Sequence, residues 1–173
     1  MRILKKLWKR KRNTNSADAR MHFDLGVSYA DQDRFDDAVT QYLQSLRIDS
    51  NSSEVRNCLG EAYHSLGRHE DAVGEHKAAL AIDPDNSNAH YNLGIIYYEQ
   101  GKFDESISEY REALRLDTKD IDAHFNLGLA YEADGQLQEA VQSFEVFIRL
   151  APSHYSSLAK QAEEIINQLM QRT

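Results

Sequence analysis

Seven histidines, one cysteine and 28 acidic side chains are the groups in this 173-residue chain that could hold a metal ion or move a proton. Their arrangement argues for neither. His22, His90 and His124 fall at one phase of a 34-residue period. A metal centre needs ligands converging within a few ångströms, and equal positions of successive repeats stand about a helix pair apart. A packing role is the simpler reading of these three. His64 and His69 flank a turn and His76 follows on the next helix, so all three are expected at the surface. Cys58 has no base beside it to activate a thiolate. No phosphate loop, H-E-x-x-H, C-x-x-C or nucleophile elbow occurs. The expectation is a chain with no catalytic residue, no metal and no cofactor, and not an enzyme.

The elements that carry these side chains are periodic. Leu25-Gly26-Val27-Ser28-Tyr29 returns as Leu59-Gly60-Glu61-Ala62-Tyr63, as Leu93-Gly94-Ile95-Ile96-Tyr97 and as Leu127-Gly128-Leu129-Ala130-Tyr131, always 34 residues on. With residue 19 as position one, glycine holds position eight of every unit. A glycine inside a helix costs about 1 kcal/mol relative to alanine, so four at one phase imply close helix approach. The facing residue on the second helix is small: Ala38, Ala72, Ser106, Ala140. Gly67, Gly101 and Gly135 end the first helices, as a left-handed residue does; Asp33 stands there in the first unit and is a weaker stop. The second helices carry apolar residues at helical spacing (Phe35, Val39, Leu46; Val73, Leu80; Phe103, Ile107, Leu114; Leu137, Val141, Ile148).

A period of 34 with the pattern L-G-x-x-Y resembles the tetratricopeptide repeat, a helix–turn–helix unit. The resemblance covers residues 19–154 and implies an all-α, right-handed solenoid of four such units. The boundaries it implies are 19–52, 53–86, 87–120 and 121–154. Pro84 and Pro152 close two units as in the family; Ser50 and Thr118 stand in its place in the others. Residues 155–173 form a C-terminal capping helix with Tyr155, Leu158, Ala159, Ala162, Ile165, Ile166 and Leu169 on one face. It is a cap because Gln161 and Ile165 replace the leucine and tyrosine of the motif. Phe147, large where Ser45, Ala79 and Ala113 are small, is its expected partner.

Composition bounds the partners. A single cysteine forms no internal disulfide, which fits a reducing compartment, and no stretch has the length of a membrane span. The net charge of −8 hides an asymmetry: seven of the 20 basic residues lie in residues 1–12, leaving 13 against 28 acidic ones, or −15, for the rest. Ile3, Leu4, Leu7 and Trp8 share one helical face, surrounded by Lys5, Lys6, Lys9, Arg10, Lys11 and Arg12. Such a segment suits a headgroup layer or a partner surface; the other readings are a solvated, disordered basic tail and attachment to nucleic acid, and residues 1–18 are read as a basic amphipathic segment and linker. Its last part, 13–18, is read as a polar run capped by Ser16 or Asp18. The localisation implied is cytoplasmic, with a peripheral position at the inner face of a membrane.

The resemblance also implies a concave groove lined by the first helices. Its residues here would be Phe23, Asp24 and Val27; Asn57, Cys58 and Glu61; Tyr91, Asn92, Ile95, Tyr98 and Glu99; and Phe125, Asn126 and Leu129. Asn92 and Asn126 could pair with a peptide backbone, and the rings with Ile95 and Leu129 could anchor an apolar side chain. The carboxylate clamp of chaperone-binding members is missing: Phe23, Val27, Cys58, Asn88 and Asn92 stand where that clamp has Lys, Asn and Arg. Across the groove Arg20 faces Asp24, Asp31, Glu54, Glu61, Glu99, Asp122 and Glu132, and an anionic channel repels nucleic acid. The expected function is a protein–protein interaction scaffold that takes an apolar, basic peptide, extended or helical, and is tethered by its N-terminus. The alternatives are a membrane-surface assembly protein that forms homo-oligomers by docking its N-terminal segment into a neighbour's groove, and a regulatory subunit of an enzyme or transport complex.

Overall fold

The computed structural model describes residues 2–171, with side chains from residue 16 to residue 171. Nine α-helices and one short 3-10 turn account for the described elements, with no strand among them. None of these helices is long and apolar enough to cross a membrane. The chain divides into two compact units, Met1–Pro84 and Asp85–Thr173. In the first, α1 (Arg2–Ala30) pairs with α2 (Phe35–Ile48) and α3 (Ser53–Ser65) pairs with α4 (His69–Ile82), with α2 packed on α3. In the second, α5 (Ser87–Glu99) pairs with α6 (Phe103–Leu116) and α7 (Ile121–Asp134) with α8 (Leu137–Leu150), with α6 on α7; a turn at Ser153–Tyr155 leads to α9 (Ser156–Met170), which packs on α8. This is the all-α helical-hairpin fold class of repeat solenoids.

Helix α1 departs from expectation. Residues 13–18 are helical, and α1 is one run of 29 residues without a break at Ser16 or Asp18. No glycine or proline precedes Gly26, and Asn, Thr and Ser lower helix propensity by only a few tenths of a kcal/mol each. The side chains of Ile3 to Arg12 lie outside the described residues. The other first helices do begin at caps. Ser52, Asn86 and Asp120 accept from the backbone N–H groups of Val55, Ala89 and Ala123 at 3.3, 3.0 and 2.9 Å.

The four hairpin turns share one geometry. The backbone N–H groups of Arg34, Arg68, Lys102 and Gln136 each donate to the carbonyl of the motif tyrosine, Tyr29, Tyr63, Tyr97 and Tyr131, at 2.9 Å. The preceding residue is left-handed each time: Asp33 at φ 58°, Gly67 at 71°, Gly101 at 72° and Gly135 at 84°. The weaker stop at Asp33 therefore adopts the same conformation, with a Cβ that glycine lacks.

Position eight is glycine because an aromatic ring lies across it. A Cβ on Gly26, Gly94 or Gly128 would sit 2.5, 2.6 or 2.7 Å from a ring atom of Tyr42, Tyr110 or Phe144. The small facing residues are buried too, and Ser106 Oγ donates to the Gly94 carbonyl at 2.7 Å. The ring, rather than the small residue, occupies the space the glycine leaves. The cap forms around Phe147, whose ring meets Phe125 at 5.0 Å and Tyr155 at 6.1 Å. Ala162 and Leu169 of α9 complete that cluster, while Gln161, Glu163, Glu164, Asn167 and Gln168 face outward.

Candidate peptide-binding faces

Position five of each first helix turns inward and meets position 24 of the second. Phe23 and Tyr42 meet at a tilt in the first hairpin with ring centroids 6.0 Å apart, Tyr91 and Tyr110 at a tilt in the third at 5.8 Å, and Phe125 and Phe144 edge to face in the fourth at 5.5 Å. This corrects two groove assignments. Phe23 and Phe125 are 6% and 8% exposed, so their rings belong to the core; only Tyr91 of the three keeps a half-buried edge.

The second hairpin breaks the series with Asn57 and His76. His76 is fully buried, not a surface residue as the sequence suggested. Its Nδ1 lies 3.0 Å from Asn57 Oδ1, and Asn57 Nδ2 donates to Glu61 Oε1 at 2.8 Å. A carboxylate only accepts, so the amide orientation is set, and His76 must carry its proton on Nδ1. Among the described residues its Nε2 has no hydrogen-bond partner, and it lies over Gly60, 2.7 Å from where a Cβ would be. Burial, with help from His64, pulls the His76 pKa down from 6.5 to about 4. Asn57, expected on the groove, is itself buried.

The α1–α3 face of the first unit is acidic. Asp24 and Glu61 are exposed, Val27 and Cys58 half-buried. Arg20 bonds Asp24 at 2.8 Å, reaches Glu54 at 3.8 Å and lies over the Phe23 ring. The Cys58 thiol is pushed up to about 12 by burial and then by Glu61 and Glu54. A thiol so placed favours its protonated form.

The α5–α7 face of the second unit is more apolar. Tyr91, Asn92, Ile95, Tyr98, Asn126 and Leu129 are half-buried and Glu99 is exposed. Tyr98 rests against Phe103 at 5.7 Å. Asn126 Nδ2 donates to the Tyr91 hydroxyl at 2.9 Å, so one amide donor is already engaged inside the fold. Burial, then the charge of Asp122, pushes the Tyr91 pKa up to about 12. Tyr155, from the cap, donates to Asp122 at 3.0 Å.

Two of the recurring histidines bridge the helices of their own hairpins, and the third bonds the loop that precedes its helix. His22 Nδ1 meets Gln41 Oε1 at 2.8 Å and His90 Nδ1 meets Glu109 Oε2 at 2.6 Å, while His124 Nε2 donates to the Thr118 carbonyl at 3.2 Å.

Three stretches, 26–67, 60–101 and 94–135, match the family model described as TPR repeat, and 121–154 matches that described as tetratricopeptide repeat. The chain belongs to the tetratricopeptide-repeat family. Among solved structures it is similar to the MamA protein, with 24% identity over 89% of this chain and 87% of that one and a TM-score of 0.74. It is similar to PilF of Pseudomonas aeruginosa, with 24% identity, 90% and 78% coverage and a TM-score of 0.73. A third is the first TPR domain of Spaghetti (RPAP3) bound to the HSP90 peptide SRMEEVD, at 21% identity, 69% and 95% coverage and a TM-score of 0.68. At these identities the likeness is one of fold. No significant match appears among curated proteins.

A tetratricopeptide-repeat chain is a protein–protein interaction scaffold. Sequence reasoning placed Asn57 and Glu61 on the groove and missed His76 and the hydrogen bonds that join the three. The signal was present: position five reads Phe, Asn, Tyr, Phe and position 24 reads Tyr, His, Tyr, Phe across the four repeats. The two polar exceptions fall in the same repeat, as a paired replacement would.

Proposed function

We propose that this tetratricopeptide-repeat chain is a non-enzymatic scaffold that binds an apolar, basic peptide, extended or helical, along its first-helix faces. The observation that carries the reading is the make-up of those faces. Carboxylates Asp24, Glu54 and Glu61 crowd the first with Arg20 already bonded to two of them, and Glu99 borders half-buried Tyr91, Ile95, Tyr98 and Leu129 on the second. Buried aromatic and aliphatic anchors supply affinity, and complementary charge selects and steers the partner. The RPAP3 neighbour holds SRMEEVD, a peptide rich in acid; the acidic face of this chain calls for a ligand of the opposite charge. Selection of random displayed peptides on the immobilised full chain should enrich sequences with Lys or Arg between large apolar residues. Enrichment of acidic C-terminal motifs would overturn the reading.

The N-terminal segment extends it. Seven cations with Ile3, Leu4, Leu7 and Trp8 in residues 1–12, continuous with the first helix of repeat one, favour a tether at an anionic surface, and the proposal is a cytoplasmic scaffold at the inner face of a membrane. The full chain should float with anionic liposomes at low salt and less at moderate salt. Replacing those seven cations with glutamine should abolish flotation. Equal flotation of both forms would remove the tether from the proposal.

A further inference from the structure

Glu61 differs from the other carboxylates on its face. Asp24 and Glu54 meet Arg20, whereas Glu61 accepts from Asn57, one turn back on its own helix, which is itself bonded to buried His76 of the second helix. His76 Nδ1–H points to Asn57 Oδ1 at 3.0 Å, and Asn57 Nδ2–H points to Glu61 Oε1 at 2.8 Å. Both links run in one direction, toward the carboxylate. The root is fully buried and the relay residue is 6% exposed, yet the end is exposed. Every other repeat fills these two core positions with rings that contact each other. Repeat two gives up that contact and leaves a buried imidazole nitrogen without a partner. What it gains is an oriented carboxylate, preorganised as binding residues are when their supporting shell is fixed.

We propose that Glu61 is the residue that selects a lysine or arginine side chain of the bound peptide, and that Asn57 and His76 position it. The proposal rests on the reading of the first-helix faces as peptide-binding. The surroundings suit a cation. Glu61 raises the Cys58 thiol and contributes to raising the Tyr42 hydroxyl, each after burial itself, so its negative field reaches both neighbours. Arg20, the basic residue on the α1–α3 face, is engaged with Asp24 and Glu54.

The test is a positional-scanning array of short synthetic peptides probed with the full chain and with three variants. Wild type should prefer Lys or Arg over norleucine by about fivefold at one position of the peptide, the range of a partly exposed ion pair. Glu61→Gln should erase that preference, and Glu61→Lys should turn it toward Asp or Glu at the same position. Glu61→Gln keeps an acceptor for Asn57 Nδ2–H and should keep the wild-type helical signal and melting temperature, and Glu61→Lys should keep the helical signal. The double variant Asn57→Phe/His76→Tyr restores the ring pair of the other repeats. It should bind the norleucine peptides as wild type does while its Lys preference falls. A purely structural role for the pair would change both peptide classes alike and would overturn the positioning claim. A Lys or Arg preference that survives both Glu61 substitutions would overturn the selection claim and leave the groove reading standing. Absence of binding to any peptide by wild type would bring down both.

Discussion

The second and fourth hairpins use the same backbone for opposite purposes. In the fourth, Phe125, Phe144 and Phe147 form a cluster with centroids 5.0 to 5.5 Å apart, sealed by Tyr155 and α9. In the second, the equivalent pair is Asn57 and His76, with one imidazole nitrogen unsatisfied. A buried polar atom without a partner costs about 1–3 kcal/mol, and a ring contact is worth about 0.5–1.5 kcal/mol beyond its burial. One hairpin therefore maximises packing, and the other trades stability for a defined carboxylate on its surface. A repeat tolerates such a trade because its stability is largely shared with its neighbours.

The contrast can be broken or sharpened by substitution. The largest effect belongs to the ring cluster: Phe144→Ala should cost about 3–5 kcal/mol in urea unfolding, and an equal loss on His76→Ala would erase the difference between the hairpins. Acid comes next. The folded His76 pKa, about 4, lies below its ordinary 6.5, so the neutral form is the one the fold keeps. Its contribution is intact above pH 6.5 and is lost as pH falls toward 4, amounting to about 3 kcal/mol for a shift of this size. Carboxylates titrate in part of the same window. The measurement is therefore the pH slope of unfolding free energy in wild type against Asn57→Phe/His76→Tyr, and wild type should lose more.

Glycines give the next contrast. Gly94→Ala would press a methyl within 2.6 Å of the Tyr110 ring and should destabilise by about 1–3 kcal/mol. Gly74, in the interior of α4, has open space around its would-be Cβ; Gly74→Ala should stabilise by about 0.5–1 kcal/mol. Thermal unfolding of the two variants should shift in opposite directions. The smallest effect is at the first turn. Asp33→Gly removes a Cβ from a residue at φ 58° and should gain up to about 1 kcal/mol, read as a rise in melting temperature.

The helical hairpins were legible because their determinants repeat. Gly26, Gly60, Gly94 and Gly128 recur with Tyr29, Tyr63, Tyr97 and Tyr131, and one mechanism explains each set. The cap was legible from Phe147 and from the loss of the motif at Gln161 and Ile165. The start of α1 was not, since Asn13 to Asp18 look polar and loop-like while none of them stops a helix. The first-helix faces were legible in their charge and less so in their rings. Whether a ring at position five points to solvent or core depends on the residue 19 positions later, so Phe23 and Phe125 were misplaced until Tyr42 and Phe144 were seen against them. His76 read as a surface residue for the same reason: a polar type at one position says nothing about burial without its partner, Asn57.

The central claim, an acidic and apolar-lined scaffold that takes basic peptides, is tested most directly by calorimetric titration of the full chain with two probes. One is a short peptide of alternating leucine and lysine, the other the acidic heptapeptide SRMEEVD. The account predicts saturable binding of the leucine–lysine peptide that weakens with salt, and none of the acidic one. Equal or tighter binding of SRMEEVD would contradict it.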